Sequence, residues 1–136
     1  MISPEPDWKH WDEAAQKVHG VDRSILETYG KPAVEVAQRI NDLLKGQTVY
    51  TDAWYHDYNW LSRLFDAAES HPSFKLEDLR HLLDEAHLAR WDAAKAQVLA
   101  EMNITRHRAS NDAKVLQQTL LRVLQPTAQT TSPDTA

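Results

Sequence analysis

One row of apolar residues in the second half of the chain constrains the fold more than any other feature. Its members recur at alternating steps of three and four residues, so they share one helical face and predict one continuous helix from about residue 76 to Asn103. Most of the members are alanine, so we predict a seam at which a second helix, from this chain or from a second copy, approaches closely. The seam residues are Leu79, Leu82, Ala86, Ala89, Ala93, Ala96 and Ala100.

The same predicted helix has a second apolar surface on roughly the opposite side. A helix that is apolar on two sides is either the central helix of a bundle or half core and half interface. We keep both interpretations, and under the second we expect a homodimer, because paired long helices close such an interface. This second surface consists of Leu88, Trp91, Val98 and Met102.

The three-and-four spacing recurs elsewhere and predicts an all-α fold, a bundle of four main helices with a short N-terminal helix. Pro32 and Gly46 bound one main helix, and Thr51 is the predicted N-cap of the next. The stretch from Val21 to Tyr29 is either a second short helix or the lead-in to the next one. No stretch predicts a strand. The predicted faces are Trp8, Trp11, Ala15 and Val18 in the short helix, Ala33, Val36, Ile40 and Leu43 in the first main helix, Trp54, Tyr58, Leu61, Phe65 and Ala68 in the second, and Ala113, Leu116, Leu120 and Val123 in the last, which begins near Ser110.

The length of 136 residues predicts one helical domain over 1–124, followed by a polar tail over 125–136 that we expect to be disordered. Whether residues 104–110 break the chain or continue the long helix is open. The sequence contains no cysteine, no apolar run as long as a membrane span, and no signal-peptide pattern at its start. We therefore expect a cytoplasmic protein that does not contact a membrane.

The charge of the chain is unevenly distributed. Residues 1–104 carry 18 acidic and 11 basic side chains, whereas residues 105–124 carry four basic side chains against one acidic. An acidic body argues against a broad nucleic-acid surface, because phosphate binding needs clustered cations. A nucleic-acid-binding regulator that uses the basic segment 105–124, around Arg106, His107 and Arg108, is kept as an alternative.

A dense aromatic segment provides the candidate site. Five large aromatic residues fall between Tyr50 and Trp60, too many to share one face of one helix. Trp54 and Tyr58 fit the core stripe, while the others point elsewhere, and exposed Trp and Tyr are enriched at binding hot spots. The alternative is that the N-terminal helix covers these aromatics through Trp8 and Trp11. We predict an acidic aromatic face for a basic partner protein, formed by Asp52, Tyr55, Asp57 and Trp60.

Histidine–carboxylate spacings raise the question of metal binding. Asp7 and His10, like Asp84 and His87, have the D-x-x-H form, and a row of Glu77, His81 and Glu85 has helical spacing. Because their neighbours are charged, we interpret these groups as solvated surface residues and expect no metal site, no cofactor and no catalytic residue. The alternative is a metal-dependent or small-molecule enzyme that uses the His81 row or His56, which lies among the aromatics.

Together these features predict a small acidic helical interaction module. We expect it to regulate or inhibit a partner protein, as immunity factors, antitoxins and phage-encoded inhibitors do. That comparison rests on composition alone.

Overall fold

The computed structural model describes residues 1–104 and 107–126, and this part of the chain is mostly helical. No helix within the described ranges combines the length and the apolarity of a membrane span. The elements in chain order are α1 (Glu13–His19), α2 (Arg23–Tyr29), α3 (Ala33–Leu44), β1 (Thr48–Thr51), α4 (Trp54–Ala67), β2 (Lys75–Asp78), a 3₁₀ helix (Leu79–Leu82), α5 (Glu85–Met102) and α6 (Ala109–Leu124).

The chain divides into two compact units, Met1–Leu82 and Leu83–Ala136. The four longest helices pack as pairs, α3 with α4 in the first unit and α5 with α6 in the second. A mostly helical fold is therefore confirmed. One bundle of four helices, and one domain over 1–124, stay predictions.

The prediction that the chain has no strand is wrong. β1 and β2 pair in parallel, in a register that runs from Thr48 opposite Lys75 to Thr51 opposite Asp78, and α4 forms the crossover between them. Strands of four residues are too short to show a clear alternation, so tertiary pairing rather than local pattern decides them. The β-branched and aromatic residues of β1 nevertheless suit a strand.

The prediction of one unbroken helix from about residue 76 is also wrong. The helix begins at Glu85, and Leu79 and Leu82 belong to the preceding 3₁₀ helix. Asp84 is an N-cap in extended conformation whose carboxylate accepts a hydrogen bond from the backbone N–H of His87 at 2.8 Å. The N-cap lies between Leu82 and Ala86, two members of the apolar row. Because the backbone of an N-cap is not helical, the helix cannot continue through it.

The alanines of the predicted seam are uncovered. Within the described chain Ala86, Ala89, Ala93, Ala96 and Ala100 are all exposed. The buried positions of α5 are Ala94 and Val98, which lie roughly opposite the alanine row and face α6. The alanine row therefore does not face α6, and of the second surface predicted for this helix Val98 is buried whereas Leu88 is exposed. A seam with a second copy stays a prediction.

α6 buries a stripe with a step of four residues, made of Val115, Thr119 and Val123. Of the predicted face, Val123 is buried and Ala113 is exposed. Thr119 tolerates full burial because its hydroxyl donates to the carbonyl of Val115 at 2.7 Å. The apolar spacing does not predict this stripe, because a polar residue, Thr119, occupies its middle position.

The last turn of α6 lies over the middle of α5. Arg122 forms a bidentate pair with Glu101 at 2.6 and 3.0 Å, and Arg90 donates to the carbonyl of Val123 at 2.8 Å. Arg90 and Glu101 lie on the same side of α5, about 16 Å apart along its axis, so they contact the last turn of α6 from opposite directions along that axis.

The connection between these two helices is a break, which answers the question that the sequence left open. α5 ends at Met102 with Asn103 as a C-cap in a left-handed conformation, and α6 begins at Ala109 after Arg108, so Ser110 is not the N-cap. Residues 105–106 and the part of the predicted tail over 127–136 lie outside the described residues.

The core of the first unit lies between α3 and α4. Ala33 and Ala37 of α3 pack with Leu64 and Phe65 of α4. Small residues on α3 let the two helices approach closely. The predicted faces of both helices are largely confirmed, and the exceptions, Leu43 and Tyr58, are exposed.

The N-terminal segment is held by its backbone. Ser3 N–H donates to the carbonyl of Lys31 at 2.8 Å, and Ile2 and Lys31 form an isolated parallel bridge. The predicted short N-terminal helix is present as α1, but its start is wrong, because Asp12 caps α1 and both Trp8 and Trp11 precede it. The predicted second short helix is present as α2.

Candidate partner-binding site

The two aromatic residues predicted to bind a partner are both exposed on α4. Tyr55 is 71% exposed and Trp60 is 66% exposed. The two residues are five positions apart on the helix, so their side chains leave the helix axis about 140° apart and do not share one face. His56 lies between them, with ring centroids 5.7 Å from Tyr55 and 5.9 Å from Trp60.

The two predicted acidic residues have different positions. The half-buried Asp57 accepts a hydrogen bond from the hydroxyl of Thr51, which itself accepts the N–H of Ala53 at 3.1 Å. This arrangement ties the end of β1 to the start of α4, so Asp57 stabilises the local fold. Asp52 lies exposed in the connection between β1 and α4. The four predicted residues therefore do not form one continuous face.

Trp54, one of the two aromatics assigned to the core, attaches α4 to the sheet. Trp54 stacks on Tyr58 with centroids 4.9 Å apart and planes 17° apart. The indole N–H of Trp54 also donates to the carbonyl of Leu76 on β2 at 3.2 Å. The structural interpretation of Trp54 is confirmed, and α4 is held in place on the side away from Trp60.

Trp60 forms one wall of an apolar cleft of about 270 Å³. Trp8 forms another wall, so the N-terminal segment borders this aromatic surface without covering Trp60. The complete lining is Ile2, Trp8, Trp60, Arg63 and Leu64. The sequence pattern indicates Trp60 as a binding residue and Trp8 as a neighbour of the aromatic segment, but it does not indicate Ile2. Arg63 and Leu64 follow from their helical spacing to Trp60.

A second cleft of about 340 Å³ adjoins the first and shares Trp8 and Arg63 with it. Its remaining lining includes three carboxylates and one methyl group, from Glu5, Asp7, Asp66 and Ala67. Within residues 1–104 and 107–126, none of these three carboxylates forms a hydrogen bond or an ion pair with another side chain. The first unit thus presents an apolar cleft beside an acidic one.

The opposite side of α4 borders a third cleft of about 390 Å³. Asn41 fixes one wall, because its side chain binds the carbonyl of His71 at 2.9 Å and the N–H of Ser73 at 2.7 Å. Aromatic and polar groups line it together, among them Tyr58, Ser62, Phe65, Asp66, His71 and Phe74. His56, the residue proposed for a small-molecule enzyme, does not line this cleft.

The histidine–carboxylate spacings have structural explanations. Glu77 is on β2, His81 on the 3₁₀ helix and Glu85 on α5, so the predicted row on one helix is wrong. His81 Nδ1 does lie 3.1 Å from Glu77 Oε2, but Glu77 also binds Lys75 Nζ at 2.7 Å, and this hydrogen bond lowers the pKa of Glu77. In the part of the chain that the structure describes, no three metal-ligating side chains cluster.

Asp84 and His87 form a capping box rather than a ligand pair. Asp7 and His10 precede α1 and are not on a helix. The metal interpretation requires the aspartate and the histidine to lie on one face of a helix. Neither D-x-x-H pair meets this requirement.

The basic segment 105–124 is partly paired within the chain. Arg122 binds Glu101, and this hydrogen bond raises the pKa of Arg122 and lowers that of Glu101. Arg106 lies outside the described residues. Binding of nucleic acid by this segment stays an alternative prediction.

Comparison of the chain with protein-family models, curated proteins and solved structures finds no match. Function is therefore argued from the clefts and the charge of the described residues.

Proposed function

We propose that the protein is an interaction module that binds a basic segment of another protein through the surface around Trp60. The observation that carries this proposal is a tryptophan that is two-thirds exposed and also forms the wall of an apolar cleft. Exposed tryptophans beside apolar pockets contribute a large share of binding energy at protein interfaces, because they bury a large ring at a low cost in side-chain entropy.

The charge distribution supports a basic partner. Met1–Leu82 contains 14 acidic and nine basic side chains, whereas the rest of the chain contains six of each, so the net charge of −5 belongs to the unit with the clefts. A negative surface accelerates encounter with a positive partner and disfavours nucleic acid. The alternative use of segment 105–124 has less support, because Arg122 is already paired.

Regulation or inhibition is the consequence that we propose for such binding, since a small module that covers a basic surface denies that surface to other ligands. A cytoplasmic setting is part of the proposal, and the absence of cysteine is consistent with it. Homodimerisation through the exposed alanine row of α5 is the second candidate, because these methyl groups would let a second helix approach closely.

Affinity capture from an extract of the source cells tests the proposal. The bait is the full chain, compared with Trp60→Ala and with Tyr29→Ala, which removes an equally exposed aromatic from the end of α2. We expect one protein to be retained by the parent and by Tyr29→Ala and to be lost with Trp60→Ala. Equal capture by all three baits would refute the proposal.

A further inference from the structure

The apolar cleft beside Trp60 and the acidic cleft next to it share Trp8 and Arg63. From this juxtaposition we infer that the site recognises a peptide segment in which a bulky aliphatic side chain lies close in sequence to a lysine or arginine. The aliphatic side chain enters the cleft at Trp60, and the cation contacts the carboxylates. This inference rests on the proposed function and specifies the chemistry of the partner.

The size and lining of the first cleft favour a single apolar side chain. Its volume of about 270 Å³ lies below the range of about 300–1,000 Å³ typical of pockets for small molecules. Two indoles, Ile2 and Leu64 line it, and Arg63 is its one charged residue. An aliphatic group gains from leaving water here, whereas a polar group would lose its hydration without finding a partner.

The second cleft selects a positive charge. Glu5, Asp7 and Asp66 contribute three negative charges against the one positive charge of Arg63. None of these carboxylates has an ion-pair partner among the described side chains. A lysine or arginine of the partner therefore meets acceptors that the chain itself does not use.

Arg63 gives this inference a distinctive consequence. Arg63 lines both clefts, so its positive charge repels an incoming cation while its aliphatic stem can contribute to the apolar wall. Replacement of Arg63 by glutamine keeps most of the stem and removes the charge. We therefore expect the Arg63→Gln variant to bind the basic segment more tightly than the parent chain does.

Selection from a random peptide library displayed on phage tests the inference, with the full chain as the immobilised target. We expect enrichment of peptides that carry Leu, Ile or Met close to Lys or Arg. We also expect this enrichment to disappear on Trp60→Ala. Enriched peptides without a basic residue, or no enrichment at all, would overturn the inference.

Calorimetric titration of one enriched synthetic peptide then tests the charges. We expect about three- to tenfold weaker binding for Asp7→Asn and Asp66→Asn, tighter binding for Arg63→Gln, and no change for the control Asp92→Asn on α5. Unchanged affinity in the first three variants would contradict the role of the acidic cleft. If capture of the cellular partner still depends on Trp60, only the inferred peptide chemistry fails. If capture does not depend on Trp60, the proposed function fails with it.

Discussion

Asp84 and His87 cap the start of α5 reciprocally. The carboxylate of Asp84 accepts the backbone N–H of His87 at 2.8 Å, and the imidazole Nδ1 of His87 accepts the backbone N–H of Asp84 at 3.3 Å. The backbone hydrogen bond from His87 lowers the pKa of Asp84 below its ordinary value of 3.8. This pair, rather than the apolar spacing around it, decides where the helix begins.

Substitution of this cap is expected to destabilise the protein. Asp84→Ala leaves the backbone N–H of His87 without its acceptor and should lower the melting temperature, whereas Asp84→Ser keeps a capping oxygen and should lie close to the parent. Thermal unfolding followed by circular dichroism at neutral pH measures the melting temperatures of the parent and both variants. An alanine variant as stable as the serine variant would count against the cap.

The same carboxylate makes stability depend on pH. Since the pKa of Asp84 is lower in the folded state, its contribution is complete above about 3.8 and is lost as the pH falls through the lower folded value. The stability difference between the parent and Asp84→Asn should therefore shrink below pH 3.8. Denaturant unfolding at a series of pH values measures this stability difference. A difference that does not change with pH would contradict the coupling between the protonation of Asp84 and folding.

Gly30 is a position at which a methyl group has no room. A Cβ there would lie 2.3 Å from the carbonyl oxygen of Leu26 and 2.5 Å from the backbone nitrogen of Ser3. Because both atoms are backbone, Gly30→Ala should cost about 1–3 kcal/mol or more. Gly46→Ala is the control, since its Cβ meets nothing within 4 Å and only its positive φ of 71° opposes the change, at about 1–2 kcal/mol. A smaller loss at position 30 than at position 46 would show that the N-terminal segment does not pack against Gly30.

Two neighbouring alanines of α5 should respond differently to enlargement. Ala94 is buried against α6, so Ala94→Leu should destabilise the fold by about 1–3 kcal/mol. Ala93 is exposed, so Ala93→Leu should leave the unfolding free energy of the monomer nearly unchanged. Urea unfolding of dilute samples measures both, and the reverse order would contradict the burial of α5.

In a homodimer, Ala93 would also affect the association of the two chains. If two copies pack along the alanine row, Ala93→Leu forces the helices apart and shifts the chain towards monomer. Sedimentation equilibrium over a range of concentrations checks this. A parent chain that is monomeric throughout would end the homodimer proposal.

The sequence predicted those parts of the fold that depend on local pattern. The faces of α3 and α4 follow from spacing, because Ala33 and Phe65 are buried where the stripes place them. Spacing could not identify the true face of α5, since an alanine satisfies an apolar pattern whether it is buried or exposed. Burial there was decided by contact with α6, of which Thr119 forms part.

The candidate site was predictable only in part. The exposure of Trp60 follows from its angle to the core stripe of α4, and this prediction is confirmed. The cleft could not be foreseen, because Ile2 and Trp8 reach it through backbone pairing of the N-terminal segment with Lys31. That pairing depends on the small size of Gly30, which no periodicity reveals.

The most direct test of the account is the affinity of the captured partner for the parent chain and for Trp60→Ala. We predict that the dissociation constant rises at least tenfold, which corresponds to about 1.4 kcal/mol, while the melting temperature changes little. Equal dissociation constants for two equally stable chains would contradict the claim that this tryptophan anchors the partner.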